Sequence, residues 1–432
     1  MTPPYISRKG EFFMSFWSPV LHYLRQMRIL NKVITFIERY RIPEWSFLVL
    51  FAAFPFFQLL EHSTLWLLPI CLFLLLWSFQ IFFGKRNLDF ADFLVLLILL
   101  LQISTVFTGY GRAIDALTAA LLTSIWFFVR HFWGIENEGK LVFLSSLSLL
   151  IVSAIGVWQY AFGMAELRWV DAKRFGDIGG RVTSLFSNPN ILAVYLLLYF
   201  PLSLGAVFSL QNKGRMRAFY TISSAFCALC ILLTWSRGAW LGLAFQIFLF
   251  LLFYSRKSRI AALWLPPLLL LSLPVMPKNF RGRLFSIADL GESSIRYRLQ
   301  TWKGTFRMLA EHPFGIGVGE RAWRAVYPQF AVSGTKTVMH AHNIFLQVAS
   351  ELGVIGLIVF LLLLGIVLDR AVQRRNIVAL SAISGTLVMG LFDHLWYYPG
   401  ILVPFWSILA LCMQRWQKVM SNPRFVDILH EN

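Results

Sequence analysis

Acidic residues are scarce in this chain. Its 432 residues hold 21 Asp and Glu against 39 Lys and Arg, and charged residues together make up only 14%. With 58% of residues hydrophobic, so little charge cannot coat a soluble domain of this size. Cysteine is scarcer still. Cys71, Cys227, Cys230 and Cys412 all fall inside apolar runs, which argues against a disulfide framework. The CALC of Cys227 and Cys230 lies in a hydrophobic segment, where packing accounts for it better than metal or redox chemistry. No internal repeat is visible. A net charge of +18 would point to nucleic acid in a soluble protein, but basic residues also collect in the cytoplasmic loops of membrane proteins, and no nucleic-acid partner is expected.

What the chain does have is apolar length. It contains 41 Phe and 16 Trp, gathered in runs that span about 30 Å of hydrocarbon as helices. The expected fold is all-α, a polytopic membrane protein of about twelve helices. They are predicted near 44–60, 64–83, 88–108, 112–132, 141–163, 190–210, 217–235, 238–254, 260–275, 344–368, 377–395 and 399–415. The basic loops GKRN, RHFWGIENEGK, QNKGRMR, SRKSR and DRAVQRRN alternate along the chain, and both termini are basic, which sets them on the cytoplasmic side. The organisation that follows is a cytoplasmic N-terminus at 1–42, nine spans over 43–275, an extracytoplasmic loop at 276–343, three spans over 344–415, and a cytoplasmic tail at 416–432. Within 1–42, Ile29, Val33, Ile34 and Ile37 share one helical face against Arg28, Lys32 and Arg39, the pattern of an amphipathic helix on the membrane surface. This region lacks the compact apolar core and cleavage site of a signal peptide.

Two segments fall outside, 164–189 and 276–343, and there the charge pattern departs from the rule. The first carries Arg168, Lys173, Arg174 and Arg181; the second is richer still, and Arg237 sits in the tight external turn of LLTWSRGAWLG. These arginines lie in structured, aromatic-rich sequence. SSIRYRLQTWKGTFRMLAEHP repeats apolar residues at helical spacing, with Ser293 or Ser294 as N-cap and Pro313 marking the end; HPFGIGVGE is a glycine-rich turn, and RAWRAVYPQF resumes a short helix. Guanidinium forks match phosphate oxygens two at a time, so a basic concavity beside the bilayer suits a lipid-linked phosphate or pyrophosphate. The competing reading is that each arginine snorkels to headgroups or pairs with Asp289, Glu292, Glu311 or Glu320.

Four motifs occur in order: RVTSLFSNPNILAVYL at 181–196, LTWSRGAWLG at 233–242, SSIRYRLQTWKGTFRMLAEHPFGIGVG at 293–319, and HAHNIFLQVASELGVIG at 340–356. Together they resemble the O-antigen ligase and polymerase superfamily of bacterial envelope glycosyltransferases. The resemblance covers roughly residues 180 to 356; the N-terminal third matches only as a set of spans. It implies a multi-pass protein of the bacterial cytoplasmic membrane that moves a glycan from an undecaprenyl-pyrophosphate carrier to an acceptor hydroxyl on the extracytoplasmic face. The acceptor is lipid A–core, another lipid-linked repeat or a protein. Carried over by motif, the hairpin arginine is Arg237, the arginine four residues before the loop tryptophan is Arg298, before Trp302, and the HN histidine is His342. Arg296 competes with Arg298 if the register differs, and His340, preceding the motif, carries less weight.

The chemistry is coherent. Leaving-group charge on a phosphate oxygen calls for fixed cations, supplied by Arg237 and Arg298. An acceptor hydroxyl calls for a base near neutrality, supplied by His342, and direct attack inverts the anomeric centre. Neither large outer loop contains a DxD, so no metal and no cofactor is expected. Arg181, Arg296, Lys303, Asn188, Asn343 and Glu351 are candidate substrate contacts. Asn188 and Asn190 flank Pro189 where capping is the default role, and Glu351 lies about 13 Å along a helix from His342, too deep to touch it. His312 reads as a helix end, and His394, beside Asp393, as a lining of the acceptor entry. A flippase, which favours paired repeats around a midplane site, and a non-catalytic assembly partner are the readings from other classes. Between ligase and polymerase, RYRLQTW followed by HPFGIGVGERAWRAVYPQF leans to polymerase-like members.

Overall fold

A computed structural model describes residues 42–53, 88–131, 138–169, 179–209, 212–287, 289, 291–332, 334–394 and 397–414. The expected interfacial helix, the span at 64–83 and the tail at 416–432 lie outside them. The chain divides into two compact units, residues 1–50 with 63–87, and residues 51–62 with 88–432. Of the first, the described part is 42–50, which begins helix α1 (Ile42–Ala53). Everything below concerns the second.

Among the described residues the fold is helical, with a single antiparallel bridge between Glu166 and Arg181. The helices are α2 (Phe90–Ser104), α3 (Ala113–Thr123), α4 (Ile125–His131), α5 (Glu138–Ala161), α6 (Pro189–Phe208), α7 (Gly214–Leu233), α8 (Arg237–Tyr254), α9 (Arg256–Ser272), α10 (Lys278–Phe285), α11 (Ser293–Glu311), α12 (Glu320–Val326), α13 (Ile344–Gln373), α14 (Ile377–Gly390) and α15 (Pro399–Cys412). Among the described residues, seven helical segments are long and apolar enough to cross a membrane: α2 with its 3-10 extension, α3 joined to α4, α5, α6, α7, α8 and α13; α14 and α15 are shorter apolar helices. The expected span at 260–275 is α9, where a basic RKSR start and the pair Pro266–Pro267 leave a shorter apolar stretch. The expected span 377–395 stops at Gly390, because the chain turns there to bring Phe392 and Asp393 to the site.

Helix α6 is the central column, with 83% of its apolar window buried, and α5, α7, α8, α14 and α15 pack around it. Some polar groups inside the bundle pair with each other or with backbone: Ser148 Oγ and Tyr195 OH lie 2.9 Å apart, and Gln246 Nε2 donates to the Leu197 carbonyl at 2.7 Å. Small residues set the closest helix pair. A Cβ on Gly242 would sit 2.7 Å from the Gly385 carbonyl oxygen, so α8 and α14 pack backbone to backbone. The outer surface is apolar. Phe93, Leu96, Leu100 and Ile103 of α2 and Ile355, Ile358 and Leu362 of α13 are exposed, which places hydrocarbon rather than water around the bundle. This is a multi-pass membrane protein.

The long loop is folded. Met308, Ile316, Trp323, Val326, Tyr327 and Val338 are buried together, and Trp323 Nε1 donates to the Val338 carbonyl at 3.0 Å. Helix α11 begins as expected at Ser293, but its N-cap is Glu292, whose carboxylate accepts from the Ile295 amide at 3.1 Å. The glycine-rich turn then docks into a break in α13. Gly353 has φ +75°, and the freed backbone pairs with the turn: Ile316 N–H to the Ser350 carbonyl at 2.8 Å, Gly317 N–H to Glu351 at 3.2 Å, and Val354 N–H to Pro313 at 2.9 Å. A Cβ on Gly315 would meet the Glu351 carbonyl oxygen at 2.5 Å. The HPFGIGVG and LGVIG motifs are thus two sides of one backbone crossing.

Candidate active site

Helix α7 ends at Leu233 and α8 starts at Arg237, so Arg237 opens a membrane helix after a turn of three residues. Its guanidinium is buried, and both terminal nitrogens are engaged. Nη1 donates to the Ser286 carbonyl at 2.8 Å and to Ser286 Oγ at 3.0 Å; Nη2 donates to Glu292 Oε2 at 2.7 Å and to Ser294 Oγ at 2.5 Å. Burial works against charge on Glu292, but hydrogen bonds from Arg237 and Ser294 outweigh it and hold the carboxyl below its usual range. The acid that caps α11 therefore ties that helix to α8.

Arg298, one turn into α11, donates from Nε to the Phe392 carbonyl at 2.7 Å. The next residue, Asp393, receives His342 Nδ1 at 3.0 Å on Oδ1 and Asn190 Nδ2 at 2.6 Å on Oδ2. Asn190 Oδ1 in turn accepts from Arg181 Nη2 at 2.8 Å, and Arg181 Nε donates to the Thr234 carbonyl at 2.7 Å. The segment after α14 thus joins arginines of two motifs, Arg298 directly and Arg181 through Asn190, to the histidine of the fourth. Asp393 is buried, which opposes its charge, but the hydrogen bond from His342 and the nearby His340 and Arg298 hold its pKa well below the ordinary value.

His342 sits in a strained turn, with φ +50°. Ser184 and Trp235, in the RVTSLF and TWSRG loops, also have φ +52°; among the described residues only Arg375 shares this trait outside glycine. The turn is clamped on both sides. Asn343 Oδ1 accepts the Phe345 and Leu346 amides at 2.9 and 3.0 Å, Asn343 Nδ2 donates to the Leu391 carbonyl at 3.0 Å, and Gln347 Oε1 accepts the Ala341 amide at 2.8 Å. His340 stacks edge-on against His342 with ring centres 4.2 Å apart; burial and then His342 push its pKa down to about 3, so it is neutral at working pH. Burial lowers His394 likewise.

Two cavities meet here. One, of about 380 Å³, is lined by Arg181, Arg237, Arg283 and Arg298 and by apolar Leu241, Leu299, Met389 and Phe392. The other, of about 350 Å³, is lined by His340, His342, His394, Tyr297, Tyr398 and Arg168. Arg181, Asn190, Ser294, Arg298 and Asp393 belong to both walls. The first is short of negative charge. Burial, and after it the nearby Arg283 and Arg298, push Arg181 down to about 9. The lining of such a chamber suits a multiply charged anion whose remainder is apolar, and its neighbour places an imidazole beside it.

Residues 222–361 match the family described as O-antigen ligase. Over that stretch the chain is similar to a family of glycan-transferring membrane proteins of polysaccharide assembly. The match runs from the middle of α7 to the middle of α13 and takes in Arg237, Arg283, Glu292 and Arg298 of the first cavity, but not Arg181, Asn190 or Asp393. Among curated proteins the chain matches none.

Within and around residues 222–361 the structure brings Arg181, Arg237, Arg298 and His342 to these two cavities, with Asn188 on the wall of the second as the N-cap of α6. The other expected contacts are elsewhere. Arg296 and Lys303 lie exposed on α11 and line neither cavity. Asn343 acts as the cap just described. Glu351 is buried beneath the loop, where it accepts the Gly319 amide at 3.2 Å and Gln347 Nε2 at 3.0 Å. His394 lines the second cavity, and His312 is the C-cap of α11. Sequence reasoning gave no role in the site to Asp393 or Arg283, and read Asn190 and Ser294 only as caps. An acid beside a histidine in an acid-poor chain, at the outer end of an apolar run, is the signal that could have found Asp393.

Proposed function

We propose that this protein is a metal-independent glycosyltransferase of the bacterial cytoplasmic membrane. It moves a glycan from an undecaprenyl-pyrophosphate carrier to an acceptor hydroxyl, with its site on the extracytoplasmic face. The single observation that carries this reading is the shared wall between an arginine cavity and a histidine cavity. The diphosphate occupies the first, where Arg237, Arg298, Arg181 and Arg283 offset the charge that develops as the sugar–phosphate bond breaks; the apolar lining continues toward the lipid. The acceptor hydroxyl enters the second. His342 takes its proton on Nε2 while Nδ1–H stays on Asp393, which fixes the tautomer and steadies the imidazolium. The hydroxyl oxygen bonds to the anomeric carbon, the carrier leaves as diphosphate, and the centre inverts. Of the family's two activities the loop sequence favours polymerase-like transfer over ligation to lipid A–core.

The test is purified protein with a lipid-pyrophosphate glycan and a matching acceptor, products sized and the new linkage read by NMR. A ladder with inverted linkage supports polymerisation, and a single addition to lipid A–core supports ligation. In cells, His342→Ala should abolish polymer while donor accumulates outside; donor trapped inside would point to a flippase, and normal polymer to a non-catalytic partner.

A further inference from the structure

We propose that His340, His342 and Asp393 form a binding site for a zinc-class divalent ion, and that filling it switches the transferase off. The three offer His340 Nδ1, His342 Nδ1 and an Asp393 oxygen, all within 4.8 Å of one another. Tetrahedral zinc with bonds of 2.0–2.1 Å needs donor atoms roughly 3.3 Å apart. The separations from Asp393 Oδ1, 3.0 Å to His342 and 4.0 Å to His340, bracket that value. His340 Nδ1 already presents a lone pair, since the His342 amide donates to it at 3.3 Å.

A second observation is independent of the cluster. His394 is 2% exposed on the wall of the same cavity, 5.5 Å from His340 between ring centres, and neither of its ring nitrogens has a hydrogen-bond partner. Two buried ring nitrogens left unmatched on one side chain are costly. A fourth ligand from His394, or a metal-bound water beside it, gives them the partner they lack. The class of ion follows from the donors and their surroundings. Arg181 and Arg298 stand close by and oppose any ion held by charge alone, so magnesium and calcium are disfavoured; two imidazoles and one carboxylate suit zinc. Binding displaces the proton shared by His342 Nδ1 and Asp393 and pins the ring, so His342 can no longer turn or serve as base. This blocking half rests on the role given to His342 above; the binding half does not.

The experiment uses the full chain in detergent without a histidine tag. Zn²⁺ is titrated against a chromophoric chelator, and Co²⁺ serves as a spectroscopic substitute. One ion per chain with a tetrahedral Co²⁺ spectrum is expected, weakened about tenfold or more in His340→Ala and in the size-conserving His340→Gln. Unchanged melting of either variant without metal shows that its fold is intact. No stoichiometric binding, or equal binding in wild type and both variants, overturns the site. In the transfer assay Zn²⁺ should suppress the wild type, chelator should restore it, and the residual transfer of His340→Gln should be insensitive. Zinc bound at the cluster with wild-type transfer undiminished overturns the blocking half. A wild type with no transfer under any condition counts against the function proposed above, while the titration still decides the metal site.

Discussion

The cavity beside Arg237 and the cavity beside His342 share a wall, yet their polar groups differ in kind. The first is built from guanidinium groups that stay charged at neutral pH, each fastened by hydrogen bonds to carbonyls or to Glu292. Beyond the shared Arg181, Arg298 and Asp393, the second adds three imidazoles beside Arg168, and imidazole and carboxylate are groups that gain, lose or share a proton. Departure of a diphosphate needs permanent charge, and activation of a hydroxyl needs a proton acceptor; the division between the chambers follows the division of labour. The seam is narrow, because Phe392 holds Arg298 and its neighbour Asp393 holds His342.

The largest expected effect separates the chambers. His342→Ala should lower kcat for transfer by about 10²- to 10⁴-fold. Donor affinity, measured with a labelled lipid pyrophosphate, should stay within about twofold, since RT ln 2 is small beside any lost phosphate contact. Donor binding lost in parallel with kcat would erase the distinction between the cavities. Arg298→Ala comes next, at about 10²- to 10³-fold. Because Arg298 belongs to both walls, it should weaken donor binding as well as kcat, and Arg298→Lys should rescue little, a point charge being unable to reproduce a fork held on the Phe392 carbonyl.

Glu292 tests how the arginine chamber is held together. With Arg237 9% and Glu292 2% exposed, the pair is buried, and removing one partner strands the other. Glu292→Ala should cost on the order of 3 kcal/mol or more of stability, read from thermal melting in detergent. The pH dependence has a definite sign. Glu292 titrates below its ordinary 4.5, so its contribution is present above that pH and is lost as pH falls through the lowered value. Glu292→Gln should therefore flatten the acid limb of melting temperature against pH. An unchanged acid limb would place the acid sensitivity on other carboxyls, Asp393 first.

Much of the bundle was legible because hydrophobic runs and basic loops are local signals. The spans expected at 217–235 and 238–254 fall within a few residues of α7 and α8. The turn at Arg237 was legible for the same reason: an arginine between two apolar runs has few places to go. What sequence could not supply was pairing across distance. Asn190 and Asp393 are 203 residues apart and meet at 2.6 Å, and no periodicity announces such a contact. The break in α13 was also hidden, since LGVIG continues an apolar pattern without interruption and only the approach of Gly315 explains why Gly353 leaves the helix.

The smallest effect settles the one ambiguity of register. Arg296 and Arg298 are two residues apart on α11, about 200° around a helix turning 100° per residue, so one faces the cavities when the other faces away. Arg298 lines both chambers, whereas Arg296 is exposed, and Lys303, seven residues further along, lies on the same outward face as Arg296. Arg296→Ala and Lys303→Ala should each change stability by less than about 0.5 kcal/mol, and transfer by less than about threefold. A loss in Arg296→Ala matching that of Arg298→Ala would mean that α11 turns when donor binds. The arginine chamber would then be assembled by substrate rather than standing ready, and its contrast with the histidine chamber would become one of order of formation.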